Sequence, residues 1–218
     1  MFRSALVTGG ASGIGAAAVA LLEGEGSDVR SLDIATGFDV ADTAAWHTVG
    51  AVDFAFLNAG VSTGTGDVAE LDDEQYRRAL GANVDGVVLG TRRLARVMEP
   101  GSAIVATASL AGLVPLPLDP VYTLTKHAVV GFVRAVAPQL SERGITINAL
   151  CPGFGDTPIV DAELRAWVAG RSIPLLSAEE VAEAALAVAR SGETGQAWVV
   201  QPGRESIVYE FRGVPGPR

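Results

Sequence analysis

The feature that most constrains this chain is the run Thr8-Gly9-Gly10-Ala11-Ser12-Gly13-Ile14-Gly15. An apolar stretch of strand length, residues 4–8, leads into it. An alanine- and leucine-rich stretch of helical length, residues 16 to about 25, leads out. Glycines in such a turn permit backbone conformations and close approaches that a Cβ would forbid. The helix behind the turn offers unpaired N–H groups and the positive end of its dipole, a ready site for a phosphate. Glycines alone also fit a tight turn that holds nothing. With a strand before and a helix behind, Gly9, Gly13 and Gly15, and Ser12 and Ile14 between them, read instead as a dinucleotide turn. A chain that opens in this way is expected to alternate strands and helices.

Residues 28–33 form a second strand pattern that ends in a carboxylate, Asp33. An acid about 20 residues past a glycine turn hydrogen-bonds the adenosine ribose, and its charge repels a 2′-phosphate. Residues 51–57 are an apolar run that ends in Asn58-Ala59-Gly60, and small residues there let backbone pack on a ligand.

The Thr-Gly-x-x-x-Gly-x-Gly spacing resembles the cofactor turn of the short-chain dehydrogenase/reductase family, and Asn58, Ala59 and Gly60 resemble its Asn-Ala-Gly turn beside the cofactor. The resemblance implies NAD rather than NADP. Members that prefer NADP often carry Arg or Lys where this chain has Ser12, and the one cation near Asp33, Arg30, sits mid-strand. Asp39 and Val40 match the Asp-apolar pair that contacts adenine at the end of the family's third strand. The helix usually found before that pair has no room between Asp33 and Asp39. This crossover is therefore expected to be lost or cut to a turn, which leaves the third strand open.

A second constellation lies at Tyr122-Thr-Leu-Thr-Lys126. Residues four apart share a helix face, so the phenol and the ammonium project into the same space. Asp119-Pro120 ahead of them reads as an N-cap followed by proline at the first helical position. A tyrosine titrates near ~10 and is a poor base at neutral pH, and a neighbouring cation lowers that value. Ser109 ends an apolar strand pattern thirteen residues ahead of Tyr122, a gap typical of the family. The resemblance implies a proton relay in which Ser109 holds the substrate oxygen and Tyr122 exchanges its proton. Lys126 tunes the tyrosine and holds the nicotinamide ribose. Asn83 bends the preceding long helix, residues 72 to about 98, and holds a water.

Further on, Pro152, Gly153 and Thr157 match the family's nicotinamide loop. Residues 156–176 are expected to form a short substrate lid with a helix from 159 to about 169. Residues 202–218 form a proline- and glycine-rich tail whose place the sequence leaves open. The wall at residues 110–118 carries no charge, which suits a neutral, apolar substrate. Pro138 is expected to kink or end the helix that carries Tyr122. His127 faces away from the Tyr–Lys pair, and Cys151 reads as a buried structural thiol.

The expected architecture is α/β: one Rossmann-like, doubly wound domain over residues 1–218 with a mostly parallel sheet. The expected function is hydride transfer between NAD and a secondary alcohol or ketone, with no metal, in a homodimer or homotetramer. Two alternatives stay open: NADPH-dependent 3-oxoacyl reduction on a carrier protein, and an NAD-binding sensor without turnover. A formal net charge of −9 argues against partners such as nucleic acid or an anionic membrane. One cysteine, no signal-peptide pattern and no long apolar run point to the cytoplasm.

Overall fold

A computed structural model describes residues 1–157, 159, 160 and 162–213. Its strands are β1 (Ser4–Thr8), β2 (Asp28–Leu32), β3 (Phe54–Leu57), β4 (Ala103–Thr107), β5 (Thr146–Pro152), β6 (Ala197–Val200) and β7 (Ile207–Val208). They form one sheet in the order β2-β1-β3-β4-β5-β6-β7, parallel except for β7. All four residues of β3 are buried, as a strand covered on both faces requires. The chain leaves β1 for β2 on one side and returns to β3 on the other. That reversal opens a crevice at the carboxyl ends of β1 and β3.

The helices are α1 (Gly13–Gly24), α2 (Asp73–Leu80), α3 (Gly86–Val97), α4 (Pro120–Ser141), α5 (Ala162–Ala169) and α6 (Ala178–Arg190). Ala18 and Leu22 of α1 join Val181, Ala185 and Val188 of α6 in the core on one face of the sheet. Val87 and Leu94 of α3 join Val129, Val133 and Leu140 of α4 on the other. Capping boxes start two helices, Asp72 with Gln75 for α2 and Ser177 with Glu180 for α6. Among the described residues, no helix is long and apolar enough to cross a membrane.

Between Asp33 and Asp39 the crossover is a single 3-10 turn, Ile34–Thr36, closed by Gly37 at φ 86°. The third strand, left open by the sequence, does not form before Asp39, so β2 is the sheet's edge. Aromatic packing takes its place. Phe38 and Trp46 meet edge to face at 5.3 Å, and the Trp46 indole donates to the Val40 carbonyl at 2.8 Å. Glycines in α3 make room for this segment. A Cβ on Gly86 would stand 2.8 Å from Val40, and one on Gly90 would stand 2.7 Å from the Trp46 ring.

Three further expectations need correction. The strand expected over 51–57 begins only at Phe54. The helix expected over 72–98 is α2 and α3 joined by a π-turn, Gly81–Asp85. Pro138 does not end α4, which runs on to Ser141. The ring removes one N–H, but its helical partner is the carbonyl of exposed Arg134, which water can satisfy.

Candidate active site

The crevice is a cleft of about 990 Å³. It brings together Gly9, Ser12, Gly13, Ile14, Asp33, Asp39, Val40, Asn58, Ala59, Gly60, Ser109, Tyr122, Lys126, Pro152, Gly153 and Thr157. Gly15 and Asn83 stand behind its wall.

The glycine turn is built by exclusion. Gly9 and Gly13 have φ 68° and 51°, in the left-handed region. A Cβ on Gly15 would fall 2.0 Å from the Gly9 carbonyl oxygen, and one on Gly9 would fall 2.9 Å from the Ala59 Cα. Ser12 occupies the N-cap position of α1 but makes no side-chain capping bond. The first N–H groups of α1 have no helical partner by construction, so they stand ready for a pyrophosphate. Asp33 pins the turn to the end of β2, accepting from Ala11 N at 3.0 Å and Ala35 N at 2.9 Å. Its remaining lone pairs can accept from ribose hydroxyls. Asp39 closes a local turn by accepting from Ala41 N at 2.8 Å. Arg30 is engaged elsewhere, donating to the Thr48 carbonyl at 2.8 Å. These features fit a dinucleotide cofactor.

Thr8 sews the strand ends together. Its hydroxyl oxygen accepts from Asn58 N at 2.9 Å and from Ala59 N at 3.0 Å, and Thr107 donates to Asn58 Oδ1 at 3.1 Å. Gly153 N donates to the Val200 carbonyl at 3.0 Å, which ties the loop after β5 to β6. Thr157 is buried at the cleft's far end.

Tyr122 and Lys126 lie on the first turns of α4, with Asp119 capping the helix through Tyr122 N at 2.8 Å. The Lys126 ammonium donates to the Thr107 carbonyl at 2.8 Å and sits 5.3 Å from the centre of the Tyr122 ring. Burial holds the Lys126 ammonium down to about 8. Burial also pushes the Tyr122 phenol up to about 12; the neighbouring Ser109 hydroxyl pulls it down, and the Asp119 carboxylate adds to the rise. The expected lowering by Lys126 is therefore not what this geometry gives, because desolvation dominates and the ammonium is bound to a carbonyl. Cys151 is fully buried, and burial pushes its thiol up to about 12.

Asn83 sits in the π-turn, fully buried. Its Oδ1 accepts from Val61 N at 2.7 Å, and its Nδ2 donates to the Val61 carbonyl at 2.9 Å and to Thr125 Oγ1 at 3.0 Å. Thr125 in turn donates to the Tyr122 carbonyl at 2.8 Å. The amide's hydrogens are thus both committed, so this side chain fixes the loop after β3 against α4.

Sequence reasoning missed the contribution of α2. Glu74, Arg77 and Arg78 line the cleft, as do Ser62, Thr63 and Gly64. The signal was present: residues 74, 78 and 81 share a helix face, and Asn83 marks where that helix meets the cleft. Arg77 donates to Asp73 at 2.9 Å. Among the described residues, Arg78 has no hydrogen-bond or ion-pair partner.

The helix in the expected lid segment is confined to α5, shorter than the expected 159–169. Trp167 faces Phe154 with ring centres 6.0 Å apart, and Arg165 pairs with Asp156 at 2.7 Å. Residues 158 and 161 of that segment lie outside the described residues. The tail runs away from the cleft. It pairs β7 with β6, and Phe211 lies under the Arg134 guanidinium of α4 at 3.7 Å. Its residues 214–218 lie outside the described residues.

Residues 11–204 match a family model described as enoyl-(acyl carrier protein) reductase. A 2,5-dichloro-2,5-cyclohexadiene-1,4-diol dehydrogenase from Sphingobium indicum is 35% identical over 186 residues, 72% of this chain and 74% of that protein. The crystal structure of BdcA in complex with NADPH superposes with a TM-score of 0.82 at 27% identity, over 91% of this chain and 92% of that one. A 3-ketoacyl-(acyl-carrier-protein) reductase from Brucella melitensis, complexed with NADH, gives 0.78 at 28% identity, over 93% and 98%.

Proposed function

Since this chain belongs to the short-chain dehydrogenase/reductase family, we propose that it interconverts a secondary alcohol and a ketone with a nicotinamide dinucleotide, NAD in preference to NADP. The observation that carries the reading is the convergence of Ser109, Tyr122 and Lys126 in one cleft with the glycine turn. The dinucleotide, when bound, supplies the acceptor for the hydride that leaves the alcohol carbon, and the donor in the reverse direction. The main-chain N–H groups at residues 13–15 and the Asp33 carboxylate would hold its phosphate and ribose ends. Asn58, Ala59 and Gly60 would form the floor, and Pro152, Gly153 and Thr157 the nicotinamide end.

Ser109 orients the substrate oxygen and stabilises charge on it. In oxidation, the Tyr122 phenolate takes the hydroxyl proton as the carbon–hydrogen bond breaks. In reduction, the neutral phenol gives its proton to the oxygen that becomes the alcohol. Lys126 places its positive charge under the ring. Val61 and Ile159, which line the cleft, suit an apolar substrate; the expected wall at residues 110–118 does not line it. The substrate named for the Sphingobium relative is a neutral cyclic secondary diol. The segment 156–176 serves as a brief lid, and the half-exposed Leu124 of α4 belongs to a face for a homodimer or homotetramer.

One observation favours a second reading, 3-oxoacyl reduction with NADPH. Arg78 lines the cleft, has no partner among the described residues, and could meet a phosphate. The test is turnover of purified protein with NAD and NADP and a panel of secondary alcohols, from short aliphatic to alicyclic, with Tyr122→Phe as control. Turnover with NAD that the control abolishes is the expected result. Selectivity for NADP would favour the second reading, and turnover that survives Tyr122→Phe would overturn the mechanism.

A further inference from the structure

The Asp119 carboxylate does far more than a helix cap requires. It is 5% exposed, yet it accepts four hydrogen bonds. Only one, from Tyr122 N at 2.8 Å, is the cap. The other three come from the loop after β3: Ser62 Oγ at 2.8 Å, Thr63 N at 2.8 Å and Thr63 Oγ1 at 2.6 Å. By contrast, Asp72 caps α2 from an exposed position and accepts one bond. Among the described residues no cation pairs with Asp119. A buried carboxylate without a counter-charge is stable only if donors saturate it, and here the loop supplies most of them. The same loop is seated a second time next door, where a Cβ on Gly66 would stand 3.1 Å from the Leu118 carbonyl oxygen.

We propose that Asp119 is a positioning residue that locks the loop at residues 61–66, whose residues 61–64 form one wall of the cleft, to the helix turn that carries Tyr122. The wall is then held at two points, Val61 by Asn83 and Thr63 by Asp119. Both anchors lead into α4, so wall and phenol keep one spacing when substrate enters. This rests on the function proposed above, because the spacing matters only if Tyr122 exchanges a proton with a substrate held against that wall. Asp119 acts electrostatically on the Tyr122 phenol and Cys151 on the Lys126 ammonium, while Glu74, Arg77 and Arg78 of α2 line the same cleft. The loop itself presents only neutral hydroxyls. The Asp119 charge also helps to keep the phenol protonated.

The test compares Asp119→Ser, Thr63→Val and the double variant in the full-length protein. Serine still caps a helix but cannot reach all the loop donors. Each single variant is expected to lower kcat about tenfold, the scale of a small misplacement at a reacting centre, with KM for NAD unchanged. The double variant should be no worse than Asp119→Ser, because both break one connection. The acidic limb of the kcat–pH profile for oxidation should move down in Asp119→Ser and stay in Thr63→Val. Amide exchange at Thr63 should quicken in Asp119→Ser and not in the control cap variant Asp72→Ser. Wild-type kcat in Asp119→Ser, multiplying losses in the double variant, or unchanged exchange at Thr63 would each overturn the inference. Exchange needs no turnover, so it judges the lock even if the wild type proves inactive, which would count against the proposed function alone.

Discussion

The Lys126 ammonium is bonded to the carbonyl oxygen of Thr107, at 2.8 Å, and not to the phenol of Tyr122. The cation is thus anchored to the end of β4, beneath the tyrosine ring, with Lys126 buried and Tyr122 half-buried in the cleft wall. Each is pushed toward its neutral form, the phenol up to about 12 and the ammonium down to about 8. At neutral pH the site therefore holds a proton on oxygen, poised to give it to a ketone.

Oxidation and reduction should respond to pH in opposite ways. Well below the phenol's pKa, the phenolate fraction rises about tenfold per pH unit. Oxidation rates are expected to climb between about pH 6 and 8, below the point at which Lys126 loses its charge, while reduction rates stay flat over that range. Initial rates in both directions across that range check this. An oxidation rate that levels off near neutrality would show that the phenol is far more acidic than its burial indicates.

Lys126→Met is expected to abolish activity and to stabilise the fold at neutral pH. A depressed lysine pKa means that the unfolded chain binds a proton more readily than the native one. Wild-type stability therefore rises with pH between about 8 and the ordinary lysine value. Removing the charge recovers roughly 3 kcal/mol below that window, and leaving the Thr107 carbonyl unpaired returns about 1–2 kcal/mol of it. The net gain of about 1–2 kcal/mol at pH 7 should turn into a loss of about 1–2 kcal/mol above the window, where only the lost hydrogen bond to Thr107 remains. Urea melts of both proteins at neutral and alkaline pH measure the difference.

Asp33→Asn should erode the preference for NAD. The amide keeps one acceptor for the glycine turn but loses the charge that opposes a 2′-phosphate. The ratio of kcat/KM for NAD over NADP is expected to fall about tenfold or more, as for a charged hydrogen bond. An unchanged ratio, with NAD binding intact, would take cofactor selection away from this residue and leave Arg78 as the place to look.

Gly90→Ala offers a test of the shortened crossover. Alanine favours a helix by about 1 kcal/mol over glycine. Here, however, its Cβ would meet the buried Trp46 ring at 2.7 Å, and overpacking of this kind costs about 1–3 kcal/mol. The variant should be no more stable than wild type and should lose stability on balance. Pairing it with Trp46→Phe should recover part of the loss, as thermal melts of the single and double variants would show.

Much of this was legible because local chemistry set it. The glycine turn and the Asp119-Pro120 start of α4 both depend on neighbours within a few residues. What the sequence hid depends on the third dimension. Nothing local says that Trp46 would fill the space of a missing strand and helix, or that Gly86 and Gly90 are small on its account. Arg78 joins the cleft only because the fold turns its helix face that way. The direction of the Tyr122 shift was misjudged because spacing reports the neighbouring cation but not how little water reaches either group.

The missing third strand has a consequence for the molecule among its own copies. With β2 at the margin, the sheet ends in a row of backbone donors and acceptors open to any passing extended chain, the usual seed of aggregation. This margin is guarded. β2 puts Asp28 and Arg30 on its surface, charges that an incoming strand would have to strip of water. Arg30 also reaches out to the Thr48 carbonyl at 2.8 Å and the Thr48 hydroxyl at 3.2 Å. It thereby ties the 3-10 turn Ala45–Thr48 to the open edge. A compact chain that gave up its outermost strand thus stays solitary along that edge through one arginine and the turn it holds.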